Sequence, residues 1–199
     1  MDRLKTCLLV SALMVSTTAH AAIISFNTDP FAGTNASDPG RQIVGAPGTP
    51  ITFDISSDVF AFSSDVFGVK SLQFINALSA NLPATGYNVV VLQDGAPLAA
   101  PVAADRIAAQ LTTSGPGFFI YFNTGLDLPR LVYSRDLGDN TADIAILARL
   151  TNLNGPTGFA RLPTFTAANF AVPEPATVLL MSTAALALGL RRRSRVQRQ

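Results

Sequence analysis

A mainly β body, sandwich-like and antiparallel with one or two short helices, followed by a C-terminal transmembrane helix, is the architecture predicted by this 199-residue sequence. Three features lead there. Apolar and β-branched runs recur between residues 51 and 122, separated by Gly, Pro, Asn and Asp clusters, which is the pattern of short strands and turns. Only two stretches of the body have helical composition. Residues 176–190 form an uncharged apolar run directly behind a Pro-rich segment. The chain is 48% apolar and 14% charged, against roughly 25% charged in an average soluble protein, and the apolar excess lies at the two ends. This composition excludes disorder throughout the chain, a polytopic membrane protein and, with Cys7 the single cysteine, a disulfide scaffold.

The first element is residues 1–21. Arg3 and Lys5 precede the apolar run Cys7–Val15, and Ser16-Thr17-Thr18 leads to Ala19-His20-Ala21. That order of charged, apolar and small residues is a secretory signal peptide, with signal peptidase cutting after Ala21. A run of about nine apolar residues is too short to span a bilayer; the competing reading is a buried core helix. Cys7 opens the apolar run, the wrong place for a lipid-modified cysteine. Cleavage removes both Cys7 and the single histidine, His20, and the chain has no Trp. A Ser-His-Asp triad, a Cys-His dyad, a zinc site built on His or Cys and haem ligation all then lack their side chains.

The body, residues 22–172, starts with the short apolar Ile23–Phe26 and reads mainly as loop to about Pro50. Ile51–Ile55 alternates apolar and polar residues, and Val59–Phe62 and Leu72–Ile75 continue the strand pattern. Asn88–Leu92 is β-branched and ends at Asp94-Gly95, a favourable hairpin turn. Phe118–Phe122, between Gly115-Pro116-Gly117 and Asn123-Thr124-Gly125, reads as a central strand buried on both faces. Leu126–Tyr133 follows, with Pro129 favouring an edge or a bulge, and Thr164–Phe170 reads as a last strand. Ala103–Leu111 is rich in helix formers, and Thr141 is placed to cap a helix over Ala142–Leu150 with Ile144, Leu147 and Ala148 on one face. No repeat with a period of 20–50 residues is present.

The last element is residues 173–199. Pro173-Glu174-Pro175 precedes the apolar run 176–190, and Arg191, Arg192, Arg193 and Arg195 follow. Fifteen helical residues reach about 22 Å, a marginal span of a roughly 30 Å hydrocarbon core. The arginines belong on the cytoplasmic side, which leaves everything before Pro173 outside. The prolines fix φ and remove donors, keeping this stretch extended and accessible. Glu174 is the sole glutamate. A Pro-rich linker ahead of a permanent anchor has the same topology without the processing.

Pro173-Glu174-Pro175, the apolar run and the terminal arginines together resemble the PEP-CTERM sorting signal of Gram-negative bacteria, a tail also known as an ice-binding-protein C-terminal domain. The resemblance implies recognition at Pro173, Glu174 and Pro175 and a transient inner-membrane anchor over 176–190. It also implies processing by an exosortase-like membrane protease, followed by a place at the cell surface or outside the cell. Ice binding is not implied, because the body has no regular Thr or Ala array. Residues 114–152 are similar to a block in other exported PEP-CTERM proteins that carries no established activity.

Residues 22–172 contain eleven Asp against seven Lys and Arg, a net of −4, so nucleic-acid binding is not expected. No metal or cofactor is assigned. Asp136, Asp139 and Asp143 with Asn140 offer calcium-type oxygen ligands, yet the D-x-D-x-D-G spacing is missing and a loop with a helix cap accounts for the same residues. Paired carboxylates for glycoside hydrolysis are not singled out, aspartic-protease signatures are absent, and Lys70-Ser71 on a strand would point to opposite faces. Phe60, Phe62, Phe67, Phe74 and the 118–122 cluster read as core rather than as a ligand pocket. Asn35-Ala36-Ser37 matches a glycosylation sequon and reads as loop. The expected function is a non-enzymatic surface or matrix protein. Alternatives are a carbohydrate- or calcium-binding module on extracellular polysaccharide and, third, a hydrolase using aspartates alone.

Overall fold

The computed structural model describes residues 21–35, 40–95 and 98–173. In chain order the strands are β1 (Ile23–Phe26), β2 (Ile43–Val44), β3 (Thr49–Ile51), β4 (Val59–Phe62), β5 (Phe74–Ala77), β6 (Val89–Leu92), β7 (Gly117–Asn123), β8 (Leu128–Ser134), β9 (Ile144–Leu150) and β10 (Phe170–Ala171). The α-helices are α1 (Ser64–Phe67), α2 (Ala100–Ala108) and α3 (Gly155–Ala160). The protein is mainly β with few short helices. Among the described residues no helix is long and apolar enough to cross a membrane, and the run 176–190 expected to do so lies outside them.

A three-stranded sheet, β1-β4-β10, packs on one face of a seven-stranded sheet ordered β2-β9-β8-β7-β6-β5, with β3 also on β9. Strand alternation divides the core. Val89, Val91, Phe118, Ile120, Leu131 and Tyr133 turn toward the small sheet, while Val90, Leu92, Phe119, Tyr121 and Val132 turn toward α2, where Ala103 and Ile107 are fully buried. Between the sheets the Phe62 and Phe118 rings stack at 3.7 Å, and Phe53 stacks on Phe60 at 4.0 Å. The aromatic residues read as core are core: Phe60, Phe62 and Phe67 are buried, and half-buried Phe74 packs against them.

The antiparallel expectation is corrected. β1 and β10 both run parallel to β4, and in the large sheet only the β7–β8 and β8–β9 pairs are antiparallel. Parallel neighbours need a crossover rather than a hairpin. Asp94-Gly95 accordingly opens the crossover through α2 instead of closing a hairpin. The Asp94 carboxylate accepts from Ser79 N and Oγ and pairs with Arg106 of α2 at 2.8 Å, tying the ends of β5 and β6 to the helix.

The expected helix over Ala142–Leu150 is strand β9. All of its residues but Arg149 are buried between β8 and the β2/β3 edge, and a short run buried on both faces has no polar alternation to separate it from a helix. Thr141 caps nothing; its N–H and hydroxyl donate to Asp139 in a turn. β8 is central rather than an edge, and Pro129 is tolerated because pairing with β9 begins at Arg130. The bulge lies further on, between Leu131 and Val132. The expected last strand shrinks to Phe170–Ala171 behind two short 3-10 turns, Ile51–Ile55 keeps only its first residue in β3, and Lys70-Ser71 lies in the exposed loop before β5.

The β2/β3 edge is broken by a turn in which Gly45 has φ 73°, and a Cβ there would meet Ile146 O at 2.6 Å. Gly33 has the same φ in open space. Gly33→Ala is expected to cost about 1–2 kcal/mol, the ordinary left-handed penalty, and Gly45→Ala about 1–3 kcal/mol more for the clash. Equal losses in urea unfolding would contradict this packing of the turn on β9.

Candidate functional site

The fold is tightly packed up to the last described residues, 166–173. Asn169, 3% exposed, donates from Nδ2 to the carbonyls of Ile55 (2.8 Å) and Asp58 (3.0 Å), while its Oδ1 accepts from Thr166 N. Phe170 is buried with its ring 5.8 Å from Phe60 and 5.5 Å from Phe74. Val172 still packs on the core, and Pro173 is exposed. A proline there has no N–H with which to prolong β10 along β4. Beside it opens a cleft of about 410 Å³ above the end of β4, floored by Phe26 and Phe62 and rimmed by Asn27, Ser63, Asp65 and Pro173.

Of the other expected processing residues, Ala21 is exposed just ahead of β1. Ala19, Glu174, Pro175, Arg191, Arg192, Arg193 and Arg195 lie outside the described residues, as do Ala36 and Ser37 of the sequon.

The three aspartates weighed for calcium are each engaged locally. Asp136 Oδ1 accepts from the N–H of Gly115 and Gly138, Asp139 Oδ1 from Thr141, and Asp143 Oδ1 from Gln42 N. The Thr141 hydrogen bonds, backbone and side chain, hold Asp139 below the ordinary carboxylate range, with Arg41 adding to the effect. Asp136 and Asp139 line one cleft with Asp105, whereas Asp143 is buried under the 40s loop. Among the described residues no three His, Cys, Asp or Glu side chains are placed to hold a metal ion. The cation this loop collects is Arg41, which donates to the carbonyls of Ala142, Pro101 and Asn140 and pairs with Asp105 at 2.7 Å.

Two features escape a linear reading. Arg130 and Arg149 lie directly opposite each other across β8 and β9. Like charges so placed are destabilising, the Nε of each is buried without a partner, and neither forms an ion pair among the described residues. Among the described residues Arg130 reaches the Tyr121 hydroxyl, at 3.5 Å. At the amino ends of β5, β6 and β7 a cavity of about 220 Å³ is lined by Lys70, Asn88, Ser114 and Tyr87, whose hydroxyl is buried and unpartnered.

A family model described as the PEP-CTERM protein-sorting motif matches residues 171–193. The match begins in β10 and takes in Pro173, Glu174, Pro175 and the apolar run. The chain carries this motif, which implies an exosortase-targeted protein exported to the cell envelope or surface. No curated protein and no solved structure matches the chain.

Burial pushes the Tyr87 hydroxyl from its ordinary 10.0 up to about 12. The unfolded chain releases this proton near pH 10 and the folded one near 12, so Tyr87 leaves stability unchanged below pH 10 and lowers it between pH 10 and 12. Tyr87→Phe is expected to remove that part of the alkaline loss and, by deleting an unpaired buried hydroxyl, to leave stability at neutral pH unchanged or up to about 1 kcal/mol higher. Denaturant unfolding at pH 7 and 11 measures both.

Proposed function

We propose that this chain is a non-enzymatic surface or matrix protein of a Gram-negative bacterium, addressed at both ends. Signal peptidase removes residues 1–21 after Ala21. The β-rich body, 22–172, crosses the inner membrane and is held by 176–190, with Arg191, Arg192, Arg193 and Arg195 on the cytoplasmic side. An exosortase-like protease recognises Pro173, Glu174 and Pro175 and releases the body to the surface or the surroundings. The reading rests on one observation: among the described residues Val172 is the last packed on the core, and it directly precedes an exposed Pro173 inside the matched motif.

The spacing has a physical consequence. Three residues, 173–175, separate the body from the apolar run, and at about 3.3–3.6 Å per extended residue they reach about 10 Å. The body is therefore held against the membrane surface while the tail is in place. Removing the tail detaches the body with the hydrogen bonds among its described residues intact. The absence of His and Cys from residues 22–172 supports a body without conventional hydrolytic or metal chemistry.

The alternative is a carbohydrate- or calcium-binding module. The observation that favours its carbohydrate half is the Arg130/Arg149 pair, since guanidinium groups that form no ion pair among the described residues suit the carboxylates of an acidic polysaccharide. A polyuronate that raises the melting temperature of the wild type but not of Arg149→Gln would favour this alternative.

Intact-mass analysis of the exported protein tests the main reading. The expected species starts at Ala22 and lacks the apolar tail, and in a Glu174→Ala variant the tail is retained. Full retention of residues 176–199 in the wild type would contradict the proposal.

A further inference from the structure

Asp58 is a buried carboxylate, 7% exposed, at the entrance to β4. Its Oδ2 accepts from Asp54 N at 2.8 Å, and its Oδ1 accepts from Ala22 N at 2.8 Å and from Ser57 Oγ at 3.2 Å. Its carbonyl accepts from Asn169 Nδ2, and Val59 N in turn donates to Ala22 O at 2.9 Å. No basic side chain pairs with it among the described residues. A buried carboxylate satisfied by neutral donors alone is a site where a positive charge has unusual value.

We infer that Asp58 is the seat of the mature N-terminus: leader removal turns the Ala22 N–H into an ammonium that forms an ion pair with this carboxylate and locks β1 onto β4. The inference rests on cleavage after Ala21. Hydrolysis adds water across the Ala21–Ala22 peptide bond, leaving a carboxylate on Ala21 and an amine on Ala22 that is protonated at neutral pH. The nitrogen is already within hydrogen-bond distance of Oδ1, so the charge appears in place and β1 need not move.

A leader still attached offers only an uncharged N–H at this point. β1 is then held by its ladder to β4 and by the neutral Ala22–Asp58 hydrogen bond, which cleavage converts into an ion pair. The other charged groups at this turn are Asp54, whose carboxylate accepts from Ser56 N and Oγ, and Arg161, which acts on Asp54. An α-amine has an ordinary pKa of about 7.7–8.0, and an opposite charge in contact raises it. The stabilisation is then complete below about pH 8 and is lost as pH rises through the folded-state value.

The exported protein suits a direct test, because residues 22–199 contain one lysine, Lys70, besides the new α-amine. Reductive methylation with 13C-formaldehyde labels two amines, whose methyl signals are titrated by NMR. The α-amine of the wild type is expected at least about half a unit above its ordinary value. That shift should disappear in Asp58→Asn and in a variant with Ser inserted between Ala21 and Ala22, which moves the ammonium away and keeps the carboxylate. An unshifted wild-type α-amine, or an equal shift in the insertion variant, would overturn the ion pair. N-terminal sequencing on the same sample separates the premise: a start other than Ala22 overturns the inference through the cleavage site.

Discussion

Both ends of the body are hydrogen-bonded to one short strand. β4 has β1 on one side and β10 on the other, all three parallel, and its Phe60 and Phe62 fill the space over the large sheet. Its four residues thus hold both attachments, and two of them, Phe60 and Phe62, also pack between the sheets. Stacking of Phe62 on Phe118 and of Phe53 on Phe60 makes the strand hard to displace, since losing a buried Phe costs about 3–5 kcal/mol. Ile23–Phe26 and Phe170–Ala171 are both laddered to β4.

The C-terminal sorting motif was legible because its chemistry is linear. Two prolines around a glutamate ahead of an apolar run lie in consecutive positions, and no fold is needed to bring the parts together. β7 was equally legible: Gly117–Asn123 is an apolar run between turn residues and is buried throughout. Its neighbour β9 was not. Ile144-Ala-Ile-Leu-Ala-Arg-Leu150 mixes strong helix formers with isoleucine, and only the strands on either side decide its state.

Strand direction was hidden for a related reason. The connection from β6 to β7 is long enough for a crossover, but Asp94-Gly95 at its start has the local chemistry of a hairpin. The candidate-site residues that escaped notice are those whose partners lie far along the chain. Asn169 meets Asp58 across 111 positions, and Arg130 faces Arg149 only through a register with a bulge in it. Asp136 and Asp143, read as metal-ligand candidates, serve the backbone of distant loops, and Asp139 closes the turn at Thr141.

The proposed proteolytic sorting requires that the segments removed are not part of the fold, and β4 holds both described ends of the body. Amide hydrogen exchange on the exported protein, with the tail attached and after its removal, tests this most directly. The account predicts the same slow exchange in β1, β4 and β10 in both forms, with protection extending through Ala171 and ending at Pro173. Loss of protection in β10 and β4 once the tail is gone would show that the tail belongs to the fold and would contradict the account.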